Sequence, residues 1–553
     1  MSSNVSTRPD RSVVWTLGAI LAVAAGVRVW GLGFGLPFGY ARPDETYVMD
    51  VVRPLLLGQP PPPNYEYPWL YMALTALGWC GYYVVGAVQG TFGAFTEMPA
   101  SWRDAPAPFF LINRGITAAL GVATVWVLFQ LGRRVGDART GLIAAACLAV
   151  AYLHVRDSHY GTTDVPMSFF VTLTVLLILR AHERGDLRAF AWAGLAGGLA
   201  GATKYTAVFV VLPAAASAII GALEEDRCRL RVLSGRLLAF AVPCGVVAAL
   251  GIPFAVTDPG GFGRTLQLLF TSTSSGQAHL ALEPGWITHL KYSLRYGLGL
   301  AILGGGVAGA ALLAARSPRR AWLVWVFPVG YFAVVGAAGN QYFRYVVPLV
   351  PFFCLGTALA IDAAAGWVAA RTAAPRQAWA MAAALLAALA VAEPAWRSIQ
   401  FDRAMSAADN RVVVATWITE RVPPGSSLLV TGSHYGHPWL PVERGYRFWT
   451  WDRREGRYWL PDDPDASRPD WILRQEHPLS ADQPVVDEWL RDGYVVAWRF
   501  AAARPDDGGR RTFDRMDAFY LPYVGFTGVV RPGPNFTLFR RAAPEPVDRT
   551  VRR

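Results

Sequence analysis

Long apolar runs alternate with short polar turns over most of the chain, from about residue 13 to residue 396. A run of roughly 20 apolar residues is long enough to cross a bilayer as a helix. The first run extends from about Val13 to Leu32, and no small-residue cleavage site follows it. We therefore expect a retained helix rather than a removed signal peptide. Arg28 lies near the end of this helix, where a long side chain can snorkel toward the interface.

Clusters of arginine recur in alternate turns between the apolar runs, around residues 133–139, 180–188, 227–236, 316–320 and 371–376. Such a bias toward one side is the positive-inside pattern of membrane proteins. It predicts about eleven spans with the N-terminus inside and the C-terminus outside. The pattern also predicts a long first outer loop over residues 34–112. That loop would hold an interfacial helix from Asp44 to Leu57 and a second one, from about Tyr67 to Val88, lying along the interface.

The composition changes after Trp396, and no later run is long enough to span a membrane. Alternating patterns predict a helix over Asn410–Arg421, strands near Ser427–Thr431 and Asp470–Arg474, a helix over Val485–Asp492, an extended Tyr494–Phe500 and a final hairpin over Gly528–Arg540. The sequence thus indicates a transmembrane domain over residues 1–400 and an extracytoplasmic α/β domain over residues 401–553. The predicted fold class is a polytopic α-helical membrane protein carrying this outer domain.

The overall composition agrees with a membrane protein. Hydrophobic residues make up 53% of the chain and charged residues 16%, against about a quarter charged in soluble proteins. The net charge of +11 comes largely from arginines beside apolar runs, which favours membrane topology over a nucleic-acid partner. We expect a multi-pass protein of the cytoplasmic membrane. The five cysteines have no zinc or redox spacing, so packing is their expected role.

With this topology, the unusual polar residues gather at the outer turns: Arg42, Asp44, Glu45, Arg114, Asp157, His159, Asp164, Lys204, Arg344 and Tyr345. Each has a structural interpretation. Acidic residues favour helix N-termini, Asp164 precedes Val-Pro and could cap a helix, and Arg344 could anchor at the interface. Asp157 and His159 could be ordinary loop residues. A structural ion network could explain the set, but several cations and acids on one face favour a site.

Transfer from an anionic donor held in the membrane to a hydroxyl group would need such a set. A carboxylate near the interface can accept the hydroxyl proton, and arginine and lysine can bind the phosphate of the donor. We take Asp44 as the candidate base, facing the outer side of the membrane.

These residues, in this order, resemble the C-type membrane glycosyltransferases, especially the protein O-mannosyltransferase and aminoarabinose-transferase families. The shared marks are Asp44-Glu45, Tyr67-Pro68-Trp69, Arg114, Asp164, Thr203-Lys204 and the turn from Phe343-Arg344-Tyr345 to Pro348. The resemblance covers about residues 13 to 400. This chain departs from the mannosyltransferases over Tyr65–Leu70, where they carry a His-Pro-Pro-Leu-Gly-Lys-like stretch, so the acceptor stays open between a glycan, a lipid and a protein.

The resemblance implies an inverting hexosyl or pentosyl transfer from a polyprenyl-phosphate sugar. Asp44 would be the base, Glu45 would orient that base or the acceptor, and Arg344 and Lys204 would contact phosphate. The family includes metal-dependent and metal-independent members, and we expect no required metal here, with a divalent cation as the alternative. Two other functions are a transporter or flippase for lipid-linked sugars, and a membrane-anchored binding protein acting through its outer domain. Charges at helix ends on one side favour the enzyme over the transporter.

Overall fold

The structure, a computed structural model, describes residues 11–62, 65–225, 228–275, 283–372, 376–452, 454–478, 484–491, 493–505, 511–517 and 519–542. It divides into two compact units. The first unit comprises Met1–Leu32 and Asp44–Arg403, and the second comprises Gly33–Pro43 and Ala404–Arg553. The sequence predicts a boundary near residue 400, but it places residues 33–43 in a loop of the membrane domain. The structure assigns that segment to the second unit.

The first unit is helical. Its helices are α1 (Arg11–Val29), α2 (Pro43–Leu56), α3 (Leu70–Val88), α4 (Glu97–Ala100), α5 (Ala107–Val135), α6 (Ala138–Val150), α7 (Tyr152–Asp157), α8 (Asp164–Arg184), α9 (Leu187–Thr203), α10 (Val211–Leu223), α11 (Arg229–Leu250), α12 (Phe254–Thr257), α13 (Pro259–Ser275), α14 (Gly285–Thr288), α15 (Arg295–Leu298), α16 (Leu300–Arg316), α17 (Pro318–Ala337), α18 (Val350–Thr372) and α19 (Arg376–Met405). Segments of 3₁₀-helix precede α10 (Tyr205–Val210) and α18 (Phe343–Leu349), and a π-helical turn, His289–Leu294, follows α14.

Within the described residues, nine helical segments are long and apolar enough to cross a membrane. A tenth results if Gly285–Leu298 and Leu300–Arg316, which meet at an angle of 108°, form one broken span. The polytopic helical fold predicted from the apolar runs is confirmed. The count differs from eleven because α6 and α9 are only 13 and 17 residues long. Leu70–Val88, for which we expected an interfacial position, is itself long and apolar enough to cross.

Small residues allow the helices of this unit to pack closely. Gly309 on α16 faces Gly356 on α18, and a Cβ at position 309 would lie 1.7 Å from the Gly356 carbonyl oxygen. On α9, a Cβ at Gly194 would lie 2.2 Å from the carbonyl oxygen of Phe240 on α11. Backbones approach this closely in membrane helices because glycine has no side chain to separate them. The glycine-rich runs in the sequence are therefore helix-packing surfaces.

The second unit contains a five-stranded sheet in the order β2-β1-β5-β7-β6. Its strands are β1 (Ser427–Val430), β2 (Arg447–Phe448), β5 (Trp471–Glu476), β6 (Tyr494–Phe500) and β7 (Asn535–Arg541), and a separate antiparallel ribbon is made of β3 (Thr450–Asp452) and β4 (Arg457–Trp459). β1 runs parallel to both β2 and β5, whereas β7 is antiparallel to β5 and β6. The helices are α20 (Asn410–Arg421) and α21 (Pro484–Arg491).

Successive side chains of β1 point to opposite faces of this sheet. Leu428 packs in a core with Val414 and Ile418 of α20, whereas Leu429 packs in another core with Val486 of α21. The predicted α/β fold is thereby confirmed, as are α20, β1, β5, α21 and β6. The predicted hairpin over Gly528–Arg540 is wrong.

Only the second half of the predicted hairpin is a strand, β7, and β7 lies between β5 and β6 in the sheet. Pro532 and Pro534 have no N–H group to donate to a ladder, which explains why the segment before β7 does not form the first strand of a hairpin.

Candidate functional site

Asp44 lies in the first turn of α2 and is paired with an arginine from a distant part of the chain. Arg344 Nη2 lies 3.0 Å from Asp44 Oδ2. The helix dipole favours a carboxylate at this position. The Asp44 side chain is 32% exposed and that of Arg344 only 6% exposed. The Asp44 carboxylate is therefore held in place by a buried cation, and its exposed part remains accessible to another molecule.

Asp164, the first residue of α8, continues the chain of charges. Arg344 Nε lies 3.7 Å from Asp164 Oδ2, and Lys204 Nζ lies 2.6 Å from Asp164 Oδ1. Lys204 directly follows α9, where the backbone becomes extended before the 3₁₀ segment Tyr205–Val210. The four side chains alternate in sign in the order Asp44, Arg344, Asp164, Lys204. The structure thus brings together four of the predicted site residues, each at the end of a different helical segment.

Glu45 follows Asp44 in sequence but has a different environment. Its carboxylate accepts hydrogen bonds from Arg114 Nε at 2.8 Å, Arg114 Nη2 at 2.7 Å and the Gly161 N–H at 2.8 Å. Both side chains of this ion pair are fully buried. Arg114 also donates to the Leu32 carbonyl at 2.9 Å. These bonds join α2, α5 and the turn before α8. The catalytic role predicted for Glu45 and the substrate contact predicted for Arg114 stay predictions.

An apolar cavity of about 320 Å³ opens beside Lys204. Its polar lining comes from Lys204 and from side chains with a hydroxyl or carboxyl group: Glu66, Tyr67, Tyr205, Thr206, Tyr331 and Tyr345. Its apolar lining comes from α13, the end of α17 and the residue after it: Leu266, Leu269, Phe270, Val334, Val335 and Ala338. Lys204 is therefore a cation at the edge of a mostly apolar cavity. An amphiphile with an anionic head and an apolar tail would fit such a lining.

Aromatic rings surround the two cations of the site. Lys204 Nζ lies 5.1 Å from the ring centroid of Tyr345 and 6.0 Å from that of Tyr67, and Arg344 Cζ lies 4.2 Å from that of Tyr342. Ring faces attract cations. Desolvation raises the pKa of Tyr67 well above its ordinary value, and the charge of Asp44 raises it further. Tyr67 is therefore a protonated hydroxyl donor at neutral pH. Tyr345, predicted to bind substrate, lies beside Lys204.

Asp157, the last residue of α7, and His159, in the turn between α7 and α8, were predicted to bind substrate and are both fully buried. Asp157 pairs with Arg156 at 3.1 Å. The ring nitrogens of His159 lie 2.9 Å from the Val155 carbonyl oxygen and 3.0 Å from the Trp30 carbonyl oxygen. Burial lowers the pKa of His159 to about 4, so its imidazole is neutral at physiological pH. These contacts hold the His159 ring in the turn, and the substrate contacts predicted for Asp157 and His159 stay predictions.

Arg42, the remaining predicted site residue, belongs to the second unit. It is buried, it forms an ion pair with Asp517, and its guanidinium lies 5.9 Å from the ring centroid of Phe519. Arg28, expected to snorkel, is also fully buried and donates to the Leu148 and Ala149 carbonyl oxygens at 3.2 and 2.8 Å. Both arginines thus tie together backbone segments that are distant in sequence.

Residues 113–248 match the family described as dolichyl-phosphate-mannose-protein mannosyltransferase, a range that contains Arg114, Asp164 and Lys204. An uncharacterized protein of Aquifex aeolicus is 30% identical over 126 residues, which is 22% of this chain and 25% of that protein.

Among solved structures, the oligosaccharyltransferase of Archaeoglobus fulgidus in its apo form superposes with a TM-score of 0.51 at 15% identity, over 76% of this chain and 63% of that one. The chain has the C-type glycosyltransferase fold. The same archaeal enzyme, in complex with an inhibitory peptide and a dolichol-phosphate, matches with a TM-score of 0.50 at 15% identity, over 83% of this chain and 69% of that one. The resemblance expected from the sequence is confirmed, although the matches leave much of each relative's length unmatched.

Sequence reasoning missed the apolar wall of the cavity. Part of that wall lies on α13, which residues 259–275 form. Leu266, Leu269 and Phe270 follow the spacing i, i+3, i+4 of one helix face, and this signal could have found them. Tyr331 gave no comparable signal, because its hydroxyl donates to the Tyr345 carbonyl at 2.8 Å from within a continuous apolar run.

Proposed function

We propose that this chain is an inverting glycosyltransferase that moves a sugar from a polyprenyl-phosphate donor to a hydroxyl acceptor on the extracytoplasmic face of the membrane. The observation that carries the proposal is the alternating chain of charges from Asp44 to Lys204, which ends at an apolar cavity. The fold and the match to the mannosyltransferase family support transfer of this kind.

The donor binds with its phosphate at Lys204 and the first part of its tail against Leu266, Leu269 and Phe270. A lysine near an apolar wall suits an anionic lipid because the head is paired while the tail is removed from water. The lining hydroxyl groups of Tyr67 and Tyr345 offer further hydrogen bonds to the phosphate or the sugar.

Asp44 accepts the proton of the acceptor hydroxyl while that oxygen attacks the anomeric carbon, on the side opposite the phosphate. The bond from the anomeric carbon to the phosphate oxygen breaks, and the lipid phosphate leaves as an anion. Arg344 and Lys204 stabilise the charge that develops on it. A positioned base typically contributes roughly 10²–10⁴-fold to such a step.

Two ion pairs to Asp164 and one to Asp44 already balance the two carboxylates with two cations. The proposal is that Arg344 and Lys204 stabilise the leaving phosphate without a divalent metal. In the described residues, no group of three His, Cys, Asp or Glu side chains is placed to bind one.

The four charged residues lie at helix ends, with Asp44 and Asp164 in first turns, Lys204 after α9 and Arg344 before α18. A transporter for lipid-linked sugars would instead place such residues at broken helices near the middle of the bilayer. The arginine clusters at the opposite helix ends support the assignment of this site to the extracytoplasmic side.

The test compares cells that carry the wild-type chain, Asp44→Asn or Asp50→Asn. Asp50 is an exposed acid on the same helix and serves as the matched control. Mass spectrometry of envelope glycans, lipids and glycoproteins should show one hexose or pentose adduct that is lost with Asp44→Asn and kept with Asp50→Asn. The lipid-phosphate sugar should accumulate in the Asp44→Asn cells. A normal level of the adduct in those cells, with equal protein abundance, would reject the proposal.

A further inference from the structure

A second charged pocket lies where α5 and α8 end. Its lining residues are Gln130, Arg133, Arg134, Arg180 and Glu183, and its volume is about 320 Å³. Arg180 is sixteen residues beyond Asp164 on α8, which corresponds to about 24 Å along a helix. The pocket is therefore at the opposite end of α8 from the candidate active site, and none of its residues has a role in the proposed transfer.

The charges in this pocket do not balance. Three guanidinium groups face a single carboxylate, and that carboxylate, Glu183, already pairs with Arg134. The positive charges of Arg133, Arg134 and Arg184 repel that of Arg180, and the carboxylate of Glu183 only partly offsets this repulsion. Within the described part of the chain, the Nε atom of Arg180 is a buried donor without a hydrogen-bond partner. An anion with several acceptor oxygens would satisfy this donor and reduce the repulsion between the arginines.

An apolar surface continues from the pocket toward the middle of the helices. Trp126, 46% exposed, lies one helical turn before Gln130 on the same face of α5. On α8, Leu173 and Leu177 are partly exposed and lie seven and three residues before Arg180, again on its face. A small soluble anion would leave this apolar surface uncovered, whereas the acyl chains of a lipid would cover it.

We propose that this pocket binds the phosphate headgroup of an anionic membrane lipid, with the acyl chains lying along Trp126, Leu173 and Leu177. Basic pockets between membrane helices are suited to such headgroups. The arginine-rich ends of these helices form the side that the positive-inside pattern assigns to the cytoplasm. The inference does not depend on the proposed glycosyl transfer.

The test measures lipid retention by native mass spectrometry of the full-length protein. Detergent micelles are supplemented with palmitoyl-oleoyl phosphatidylglycerol or with the matching phosphatidylcholine. Wild type should retain phosphatidylglycerol in preference to phosphatidylcholine. Arg180→Gln should weaken phosphatidylglycerol retention by about tenfold, as expected for loss of hydrogen bonds between charged groups. Arg188→Gln, the matched control, removes an exposed arginine at the same end of the bundle but outside the pocket and should change retention less than about twofold.

Glu183→Gln provides a test in the opposite direction, which stays informative if Arg180→Gln folds poorly. Removing the carboxylate frees Arg134 and should strengthen phosphatidylglycerol retention several-fold. Equal losses for Arg180→Gln and Arg188→Gln would overturn the proposal in favour of diffuse surface charge. Weaker retention with Glu183→Gln would also overturn it, because the carboxylate would then help to hold the lipid. A large excess of inorganic phosphate should leave the lipid bound. Full displacement by phosphate would show instead that the pocket takes a soluble anion.

Discussion

The substitution Glu45→Gln removes the carboxylate that accepts two hydrogen bonds from Arg114 and one from the Gly161 N–H. Glutamine has nearly the same shape, so the main effect is electrostatic. Breaking a buried ion pair by neutralising one partner costs about 3–5 kcal/mol, because the other charge stays buried. Asp44→Asn, one residue earlier, removes a partly exposed carboxylate and should cost about 1 kcal/mol or less in stability. We therefore expect Glu45→Gln to lower the stability of the protein and Asp44→Asn to leave it nearly unchanged.

The melting temperature should decrease by roughly 6–20 °C in Glu45→Gln, taking 2–4 °C per kcal/mol as a guide. A thiol-reactive fluorescent dye can follow unfolding in detergent because Cys147 and Cys354 are buried, whereas exposed Cys228 gives a constant baseline. The double variant Glu45→Gln/Arg114→Gln removes both charges and should recover part of the loss. The Asp44→Asn protein should melt close to wild type and have no transfer activity.

A wild-type melting curve for Glu45→Gln would refute the assignment of Glu45 to positioning. The same conclusion would follow if Arg114→Gln added its full cost to that of Glu45→Gln, since two residues that share a buried ion pair are expected to have non-additive effects.

Three further results are expected. Lys204→Met should weaken binding of a polyprenyl phosphate by about 10–100-fold, as for loss of a charged hydrogen bond, while Lys291→Met on the exposed Lys291–Glu283 pair should not; equal binding by both would contradict the proposed phosphate site. Transfer by purified enzyme should continue in excess EDTA, and a loss reversed by added divalent cation would show that a metal is required. Burial lowers the pKa of His477 to about 3, so below about pH 6.5 only the unfolded chain takes up this proton and stability falls by about 1.4 kcal/mol per pH unit. The melting temperature of wild type should therefore decrease more between pH 7 and pH 5 than that of His477→Gln, and parallel decreases would argue against this origin.

The part of the site that could be predicted followed from topology. Asp44, Asp164, Lys204 and Arg344 each stand beside the end of an apolar run, and the arginine clusters place those ends on one side. Residues at the same end of a helix bundle are brought close by the bundle itself. Their convergence therefore required no knowledge of how individual helices are rotated.

The rotation of a helix about its axis could not be predicted, and the incorrect expectation that Arg28 snorkels depends on it. Arg28 and Arg114 lie at helix positions that suit either an interface anchor or a buried partner, and only the neighbouring helices decide between them. Both are fully buried. His159 likewise has a polar side chain in a short turn, and its partners include carbonyl oxygens, whose positions the sequence pattern does not reveal.

The assignment of Gly33–Pro43 to the second unit means that this unit is built from two separate stretches of chain. Arg42 pairs with Asp517, the Phe34 ring packs edge-on to Phe519 at 6.1 Å, and the Arg411 guanidinium lies 4.4 Å from the Phe38 ring centroid. A protein truncated after residue 403 would leave these side chains without partners immediately before Asp44. Inactivity of that truncated protein would not show what the second unit contributes, and residues 404–553 expressed alone would lack part of their own core. Point substitutions, rather than truncation, are therefore the appropriate way to find out what each unit contributes.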